Sequence, residues 1–207
     1  MIENQERLSS EDIQNLPLHA YEGEVNVITD SESADRVAMQ LQKATVIGFD
    51  TETRPTFKKG VVRNVSLLQL YDGEKAYLFR LNVLGLPNSI KKILQSPKII
   101  KVGAAIHDDI KGLAKLNSFK AGGFIDLQTV AKNADIEDIS VKKMTARFLG
   151  FRISKKQQLS NWDNTTLEEG QIIYAATDAW VCYHLYFAMR NLPVAPKIQT
   201  NSENINS

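Results

Sequence analysis

The chain contains the stretch Ala44-Thr-Val-Ile-Gly-Phe-Asp50-Thr-Glu52-Thr-Arg54, in which β-branched and aromatic residues give way to two carboxylates. The apolar part has the composition of a buried strand, and its weak alternation predicts a strand that is covered on both faces. Side chains two residues apart on a strand lie on the same face, so Asp50 and Glu52 are expected to point in the same direction.

Two like charges held this close repel each other unless a positive charge lies between them. A divalent cation is the simplest such charge, and hard cations such as Mg²⁺ prefer oxygen ligands. The alternative is an Asp and a Glu at a solvated strand end, because an isolated Asp-x-Glu pair often arises by chance. The rest of the chain has to decide between these interpretations.

Length and composition limit the class of protein. The length of 207 residues suits one domain, and 43% hydrophobic with 24% charged residues excludes a wholly disordered chain. No apolar run is long enough to span a bilayer, and the first residues lack the basic start and apolar core of a signal peptide. Because the single cysteine, Cys182, allows no internal disulfide, we expect a reducing compartment and a cytoplasmic protein.

The net charge of +1 favours neither a general nucleic-acid-coating protein nor a membrane-surface protein. Basic residues do form local groups, and each group alone is typical of a solvated face. Near an acidic metal site, such groups would form the rim expected for a polyanion. The groups are Lys58-Lys59 with Arg63, Lys142-Lys143 with Arg147, and Lys155-Lys156.

Strand and helix patterns predict a three-layer α/β (α+β-like) domain, with a central mixed β-sheet flanked by helices, over residues 25–192. A turn at Asp72-Gly73 predicts that the carboxylate strand is followed by an antiparallel hairpin. Residues 1–24 are interpreted as an N-terminal extension and residues 193–207 as a disordered tail. Strands are predicted at residues 25–28, 46–50, 65–70, 75–80, 98–102 and 124–127, and the main helices at 31–43, 87–94, 107–116, 141–149 and 167–191.

Two further acidic positions occur where a site could use them. Asp108 and Asp109 follow a strand at the start of a helix, where an acid is also stabilised by the helix dipole without any other role. Tyr174 and Asp178 lie four residues apart in the last long helix and therefore share a face. A partly buried Tyr beside a solvated Asp is the ordinary alternative.

In combination, these motifs resemble the DEDD superfamily of 3′–5′ exonucleases, most nearly its Werner-type domains and more distantly ribonuclease D. One subgroup of the superfamily has histidine five residues before the last Asp, and here that position is Ile173, so the tyrosine subgroup is the one matched. The resemblance implies a ribonuclease H-like fold. It rests on Phe49-Asp-Thr-Glu52 with Arg54-Pro55, Ser66-Leu-Leu-Gln-Leu70, Lys101-Val-Gly103, Phe124-Ile-Asp-Leu127, Ser160-Asn-Trp162 and Tyr174-Ala-Ala-Thr-Asp178.

The resemblance also implies a catalytic site with two divalent metal ions, Mg²⁺ or Mn²⁺. Asp50 would bridge both ions, Glu52 and Asp178 would bind the ion on the nucleophile side, and Asp109 would act mainly through water on the other. Asp109 is chosen over its neighbour because it lies six residues after the glycine of Lys-Val-Gly. Tyr174 would orient the attacking water, since a phenol with a pKa near 10 is a poor base at neutral pH.

The expected partner is a nucleic acid with a free 3′ end, with DNA favoured over RNA by the Werner-type motifs. Ribonuclease D-like trimming of RNA and a catalytically silent binding fold are the alternatives. Candidate substrate-binding residues are Thr51, Leu68 and Trp162, of which the last two could stack on a base. Packing in the core is an equally good interpretation of Trp162.

Overall fold

The computed structural model describes residues 8–58 and 60–192, and it contains a six-stranded mixed sheet. The strand order is β1-β4-β3-β2-β5-β6, so the carboxylate strand β2 lies in the interior of the sheet. It pairs antiparallel with β3 and parallel with β5, and this confirms the predicted mixed sheet with a hairpin after β2. The strands are β1 (Val25–Ile28), β2 (Val46–Glu52), β3 (Leu67–Tyr71), β4 (Ala76–Arg80), β5 (Ile100–Gly103) and β6 (Phe124–Asp126).

The helices pack on both faces of the sheet, and none in the described part of the chain combines the length and apolar character needed to cross a bilayer. The short helix α3, directly after β4, was not predicted from the sequence. The helices are α1 (Ser10–Asn15), α2 (Ser31–Leu41), α3 (Leu81–Leu84), α4 (Asn88–Gln95), α5 (His107–Leu116), α6 (Leu127–Asn133), α7 (Val141–Leu149) and α8 (Glu169–Met189).

The long helix α8 lies unusually close to the central strand. A Cβ atom built on Gly48 of β2 would be 2.0 Å from the carbonyl oxygen of Ala179, so only glycine fits at this point of the strand. A glycine inside a strand of β-branched residues is the sequence sign of such a close approach. The contact brings the residue before Ala179, Asp178, to the sheet face from which Asp50 projects.

The opposite face of the sheet carries the largest apolar core. Phe49, Leu68 and Phe79 project from three adjacent strands into it and are covered by residues of α2, α4 and α5. Since β2 is covered on this face and by α8 on the other, its apolar part shows little alternation, as its sequence suggested. The catalytic candidates therefore lie where this strand emerges from the core.

Residues 8–24 lie against the sheet domain. The backbone N–H of His19 donates to the carbonyl of Arg152 at 2.9 Å, and the N–H of Tyr21 donates to Oγ1 of Thr177 at 2.9 Å. The N-terminal segment thus contacts both α8 and the loop that precedes it. The predicted disordered tail at 193–207 lies outside the described residues.

Candidate active site

Four of the predicted catalytic residues, together with the candidate substrate-binding residue Thr51, line one cavity of about 490 Å³ at the end of β2. Asp50 and Glu52 come from the strand, and Asp178 and Tyr174 come from α8, on which they are one turn apart. Asp178 is 8% exposed, whereas the other three remain partly accessible from the cavity. The strand period and the helix period together explain why these side chains face one another.

The second acidic motif separates into one inward and one outward carboxylate. The hydroxyl of Thr51 donates to Oδ1 of Asp109 at 2.5 Å, which connects α5 to the carboxylate strand. The side chain of Asp108 is 92% exposed and lies 3.6 Å from Nζ of Lys111. Asp109 is therefore the member of the pair that adjoins the cavity, and Thr51 is bonded to a carboxylate rather than directed at open solvent.

Burial raises the pKa values of the carboxyls at the cavity, and for Asp50 and Glu52 the neighbouring carboxylates raise them further. Desolvation and the charges of Asp178 and Asp109 raise the pKa of Asp50 well above its usual value. Desolvation, followed by the charges of Asp50, Asp178 and Asp109, raises the pKa of Glu52 to about 10. Burial raises the pKa of Asp178 to about 7, although a hydrogen bond from Tyr174 and the charge of Lys155 lower it. Buried carboxylates this close together are stabilised when some of them are protonated or when they bind a cation.

The Tyr174 hydroxyl belongs to the same electrostatic cluster. Burial raises its pKa above the usual value, and the charges of Asp178, Glu52 and Asp50 raise it further. The phenol thus stays protonated at neutral pH, where it can donate a hydrogen bond but cannot act as a base. Its ring packs against Trp162, with the ring centroids 6.0 Å apart, and this contact restrains the orientation of the ring and its hydroxyl.

The residues fit hard divalent cations by their donor chemistry. All the side-chain donors are carboxylate oxygens, and no ion pair to Asp50 or Glu52 is found among the described residues. A ready-made ligand geometry is absent, since residues 8–58 and 60–192 contain no group of three or more acidic, His or Cys side chains already placed around a common metal position. The Asp109 carboxylate would have to adjust, because it is bonded to Thr51.

The prediction that Leu68 and Trp162 stack on a substrate base is wrong. Both side chains are 0% exposed. Leu68 projects into the core on the far side of the sheet, and Trp162 packs between Leu67, Leu78 and the start of α8. An apolar residue that lines the cavity and is well exposed is instead Leu159, which is 71% exposed and lies on the loop before α8.

The basic groups of the sequence have separate roles. Lys143 and Arg147 form ion pairs of 2.7 and 2.9 Å with the buried Asp138, so they hold α7 in place. Lys142 and Lys155 line the cavity at the end of β2. The sequence could not distinguish these roles, because the buried partner, Asp138, is not part of the basic groups themselves.

One supporting residue, Asp126, belongs to the Phe124-Ile-Asp-Leu127 motif but was given no role from the sequence. At the end of β6 its Oδ1 accepts hydrogen bonds from the backbone N–H of Ala105 at 3.0 Å and of Gln128 at 2.9 Å. Ala105 has a left-handed backbone with φ of 59°, and the turn it forms leads into the helix that carries Asp109. An acid directly after a strand and at the start of a helix was the available signal.

Comparisons with known proteins agree with this geometry. A family model described as 3′–5′ exonuclease matches residues 25–192. The bifunctional 3′–5′ exonuclease/ATP-dependent helicase WRN of Mus musculus is 32% identical over an alignment of 190 residues, and this alignment covers 86% of this chain and 13% of that protein. The chain thus spans a small part of this relative's length.

Solved structures show the same fold. The EXO domain of Nibbler from Aedes aegypti has a TM-score of 0.74 at 22% identity, covering 83% of this chain and 91% of that one. RNase D of Escherichia coli has a TM-score of 0.72 at 23% identity, covering 80% and 45%. The predicted ribonuclease H-like exonuclease fold is confirmed.

Proposed function

Because the chain belongs to the 3′–5′ exonuclease family, we propose that it hydrolyses phosphodiester bonds at nucleic-acid 3′ ends and releases nucleoside 5′-monophosphates. The observation that carries this proposal is the convergence of Asp50, Glu52, Asp178 and Tyr174 on one cavity, with Asp109 beside it. Hydrolysis needs an attacking water in line with the bond, a stabilised leaving oxygen and relief of phosphate charge.

The carboxylates would supply the metal site. Asp50 would contact both of two divalent cations, Mg²⁺ or Mn²⁺, with Glu52 and Asp178 on one side and Asp109 on the other. When bound, such ions lower the pKa of the attacking water and offset charge on the phosphate and the leaving oxygen. The raised pKa values of the four carboxyls support this assignment, because they show that burial disfavours the ionised carboxylates, a cost that a bound cation would offset.

The side chain of Tyr174 would orient the water. Its raised pKa keeps the phenol protonated, so it donates a hydrogen bond and takes no proton. The packing against Trp162 fixes the ring. The single O–H, which donates to Asp178 in the structure, would turn to the attacking water once Asp178 binds a cation. A positioned donor of this kind acts on the geometry of attack rather than on substrate affinity.

The rim would bind the polymer. Lys142 and Lys155 offset the negative floor of the cavity and would face backbone phosphates, while the exposed Leu159 offers an apolar surface to the terminal base. We propose DNA as the preferred polymer on the strength of the Werner-type motifs. RNA is the second candidate, because RNase D of Escherichia coli, described as an exoribonuclease involved in structured RNA processing, shares the fold.

The test uses matched DNA and RNA oligomers of one sequence, labelled at the 5′ end, both single-stranded and with a recessed 3′ end. Stepwise shortening with release of mononucleotide is expected in Mg²⁺ or Mn²⁺ and is expected to stop in EDTA. Faster shortening of the RNA would move the function to RNA trimming.

Two controls complete this test. The same DNA closed into a circle should stay intact, and its cleavage would contradict an exonuclease. The Asp50→Ala variant should bind the oligomer without shortening it. If the unaltered protein binds 3′ ends but releases no nucleotide with either metal, the silent binding fold replaces the proposed activity.

A further inference from the structure

A buried amide next to the carboxylate strand has no evident role in the structure. Gln69 of β3 is 0% exposed, and within the described residues neither its Nε2 nor its Oε1 has a hydrogen-bond partner. Buried side-chain amides are nearly always bonded, because an unpaired donor or acceptor loses its hydration without compensation. A Met or Leu at this position would pack without that loss.

The strand register places this amide beside Asp50. Gln69 lies directly opposite Asp50 in the antiparallel β2–β3 pair. Directly opposed residues project from the same face, with Cβ atoms about 4.5–5.5 Å apart. The flanking residues on that face, Leu67 and Leu78, are apolar and pack beneath α8, so they offer the amide no partner.

The Asp50 carboxylate in turn has unused hydrogen-bonding capacity. Among the described residues its recorded bond is from the backbone N–H of Thr51 to Oδ1, at 2.9 Å. A carboxylate that bridges two cations must hold both oxygens in a defined orientation, and carboxylate ligands in proteins are usually oriented by further hydrogen-bond donors. A neutral amide N–H can do this without adding charge to the cluster.

We propose that Gln69 is a positioning residue for the metal site, whose Nε2 donates to the Asp50 carboxylate when that carboxylate is ionised and bound to divalent cations. This inference rests on the proposed function, since it assigns the cations to Asp50. Gln69 touches neither the substrate nor the ions, and it acts by holding Asp50 in the orientation that binds them. In the structure the amide has no hydrogen-bond partner among the described residues, so it adds no hydrogen-bond stability to the metal-free fold.

The test compares Gln69→Met with wild type and with Leu78→Met. Methionine has nearly the volume of glutamine and lacks the amide. Leu78 lies directly opposite Gln69 on β4, so Leu78→Met introduces the same side chain on the same face of the sheet. Affinity for Mn²⁺ is measured without nucleic acid, by titration calorimetry or by the spin resonance of free Mn²⁺. We expect Gln69→Met to lower it about 10- to 100-fold and Leu78→Met to leave it unchanged.

Two further measurements separate positioning from packing. In EDTA, Gln69→Met should melt at the same temperature as wild type or higher, because the unpaired amide is gone. The loss of nucleotide release should shrink as the metal concentration rises, since kcat at saturating metal depends less on the orientation of an already occupied ligand. Unchanged Mn²⁺ affinity, or a clearly lower melting temperature in EDTA, would overturn the proposal.

The two proposals fail in different ways. If wild type releases nucleotides and Gln69→Met binds Mn²⁺ equally well, the positioning role is wrong and the exonuclease proposal stands. If wild type cleaves no 3′ end but Gln69→Met still weakens Mn²⁺ binding, the activity is wrong and the positioning role stands. Absence of Mn²⁺ binding by wild type would refute the positioning role directly.

Discussion

The contact between Gly48 and Ala179 offers a strong test of how the fold builds the site. In Gly48→Ala the new Cβ would lie 2.0 Å from the Ala179 carbonyl oxygen, 3.0 Å from its carbonyl carbon and 3.1 Å from Cβ of Tyr183. Since ordinary contact begins at 3.4 Å, strand and helix must separate by up to about 1.4 Å at this point. The two nearest atoms belong to the backbone, so no side-chain rotation relieves the clash.

Two losses are expected from this separation. Overpacking of a tight core typically costs about 1–3 kcal/mol, and we expect Gly48→Ala to lie at the upper end of that range. Asp178 precedes Ala179 on α8 and would move away from Asp50, and a misplacement of about 1 Å can cost on the order of 100-fold in rate. The measurements are urea denaturation in EDTA and kcat/KM for nucleotide release at a temperature where the variant is folded.

Gly170→Ala, near the start of α8, is the matched control for Gly48→Ala. Its Cβ would lie 3.1 Å from Nε2 of Gln157, the end of a flexible side chain that can move aside, and alanine has a higher helix propensity than glycine. It should be neutral or stabilising, with activity retained. If Gly48→Ala matches wild type in stability and stays within about twofold of its kcat/KM, the close approach does not set the geometry of the site.

Four other predictions concern the carboxylates and Tyr174. In EDTA the free energy of unfolding, measured by urea denaturation, should fall from about pH 4 to pH 7, because the folded state retains a proton on Asp178, with its pKa of about 7, that the unfolded chain has lost. Asp50→Asn should raise the metal-free free energy of unfolding at pH 8 by about 1–3 kcal/mol. A lower free energy of unfolding for this variant would contradict the repulsion between the carboxylates. Asp109→Asn should lower turnover far more than Asp108→Asn, and the reverse order would place the wrong carboxylate at the site. Tyr174→Phe should lower kcat by about 10²- to 10⁴-fold with Mn²⁺ affinity kept, whereas loss of the metal would make the phenol a support for Asp178.

Much of the fold is readable from short-range signals. Turn chemistry at Asp72-Gly73 predicted the hairpin because the preference for a tight turn resides in the two residues themselves. Gly150, in a left-handed conformation with φ of 74°, ends α7 where the sequence suggested. The shared face of Tyr174 and Asp178 likewise follows from the helical period alone.

The site depends on long-range packing that no local pattern contains. Asp50 and Asp178 are 128 residues apart in sequence and meet because Gly48 lets α8 approach the strand. Leu68 and Trp162 have the chemistry of stacking residues, but whether an apolar side chain meets substrate or core depends on what covers it.

The amino-acid sequence by itself determined the elements, the mixed sheet and the set of carboxylates with their tyrosine, because those follow from periodicity, turn preference and the family motifs. The spacing after Lys-Val-Gly already selected Asp109 over Asp108, but only the tertiary structure decided which lysines are held by Asp138 rather than lining the cavity. It also exposed the unpaired amide of Gln69. The physical reason is that burial and pairing are properties of atoms brought together from distant parts of the chain.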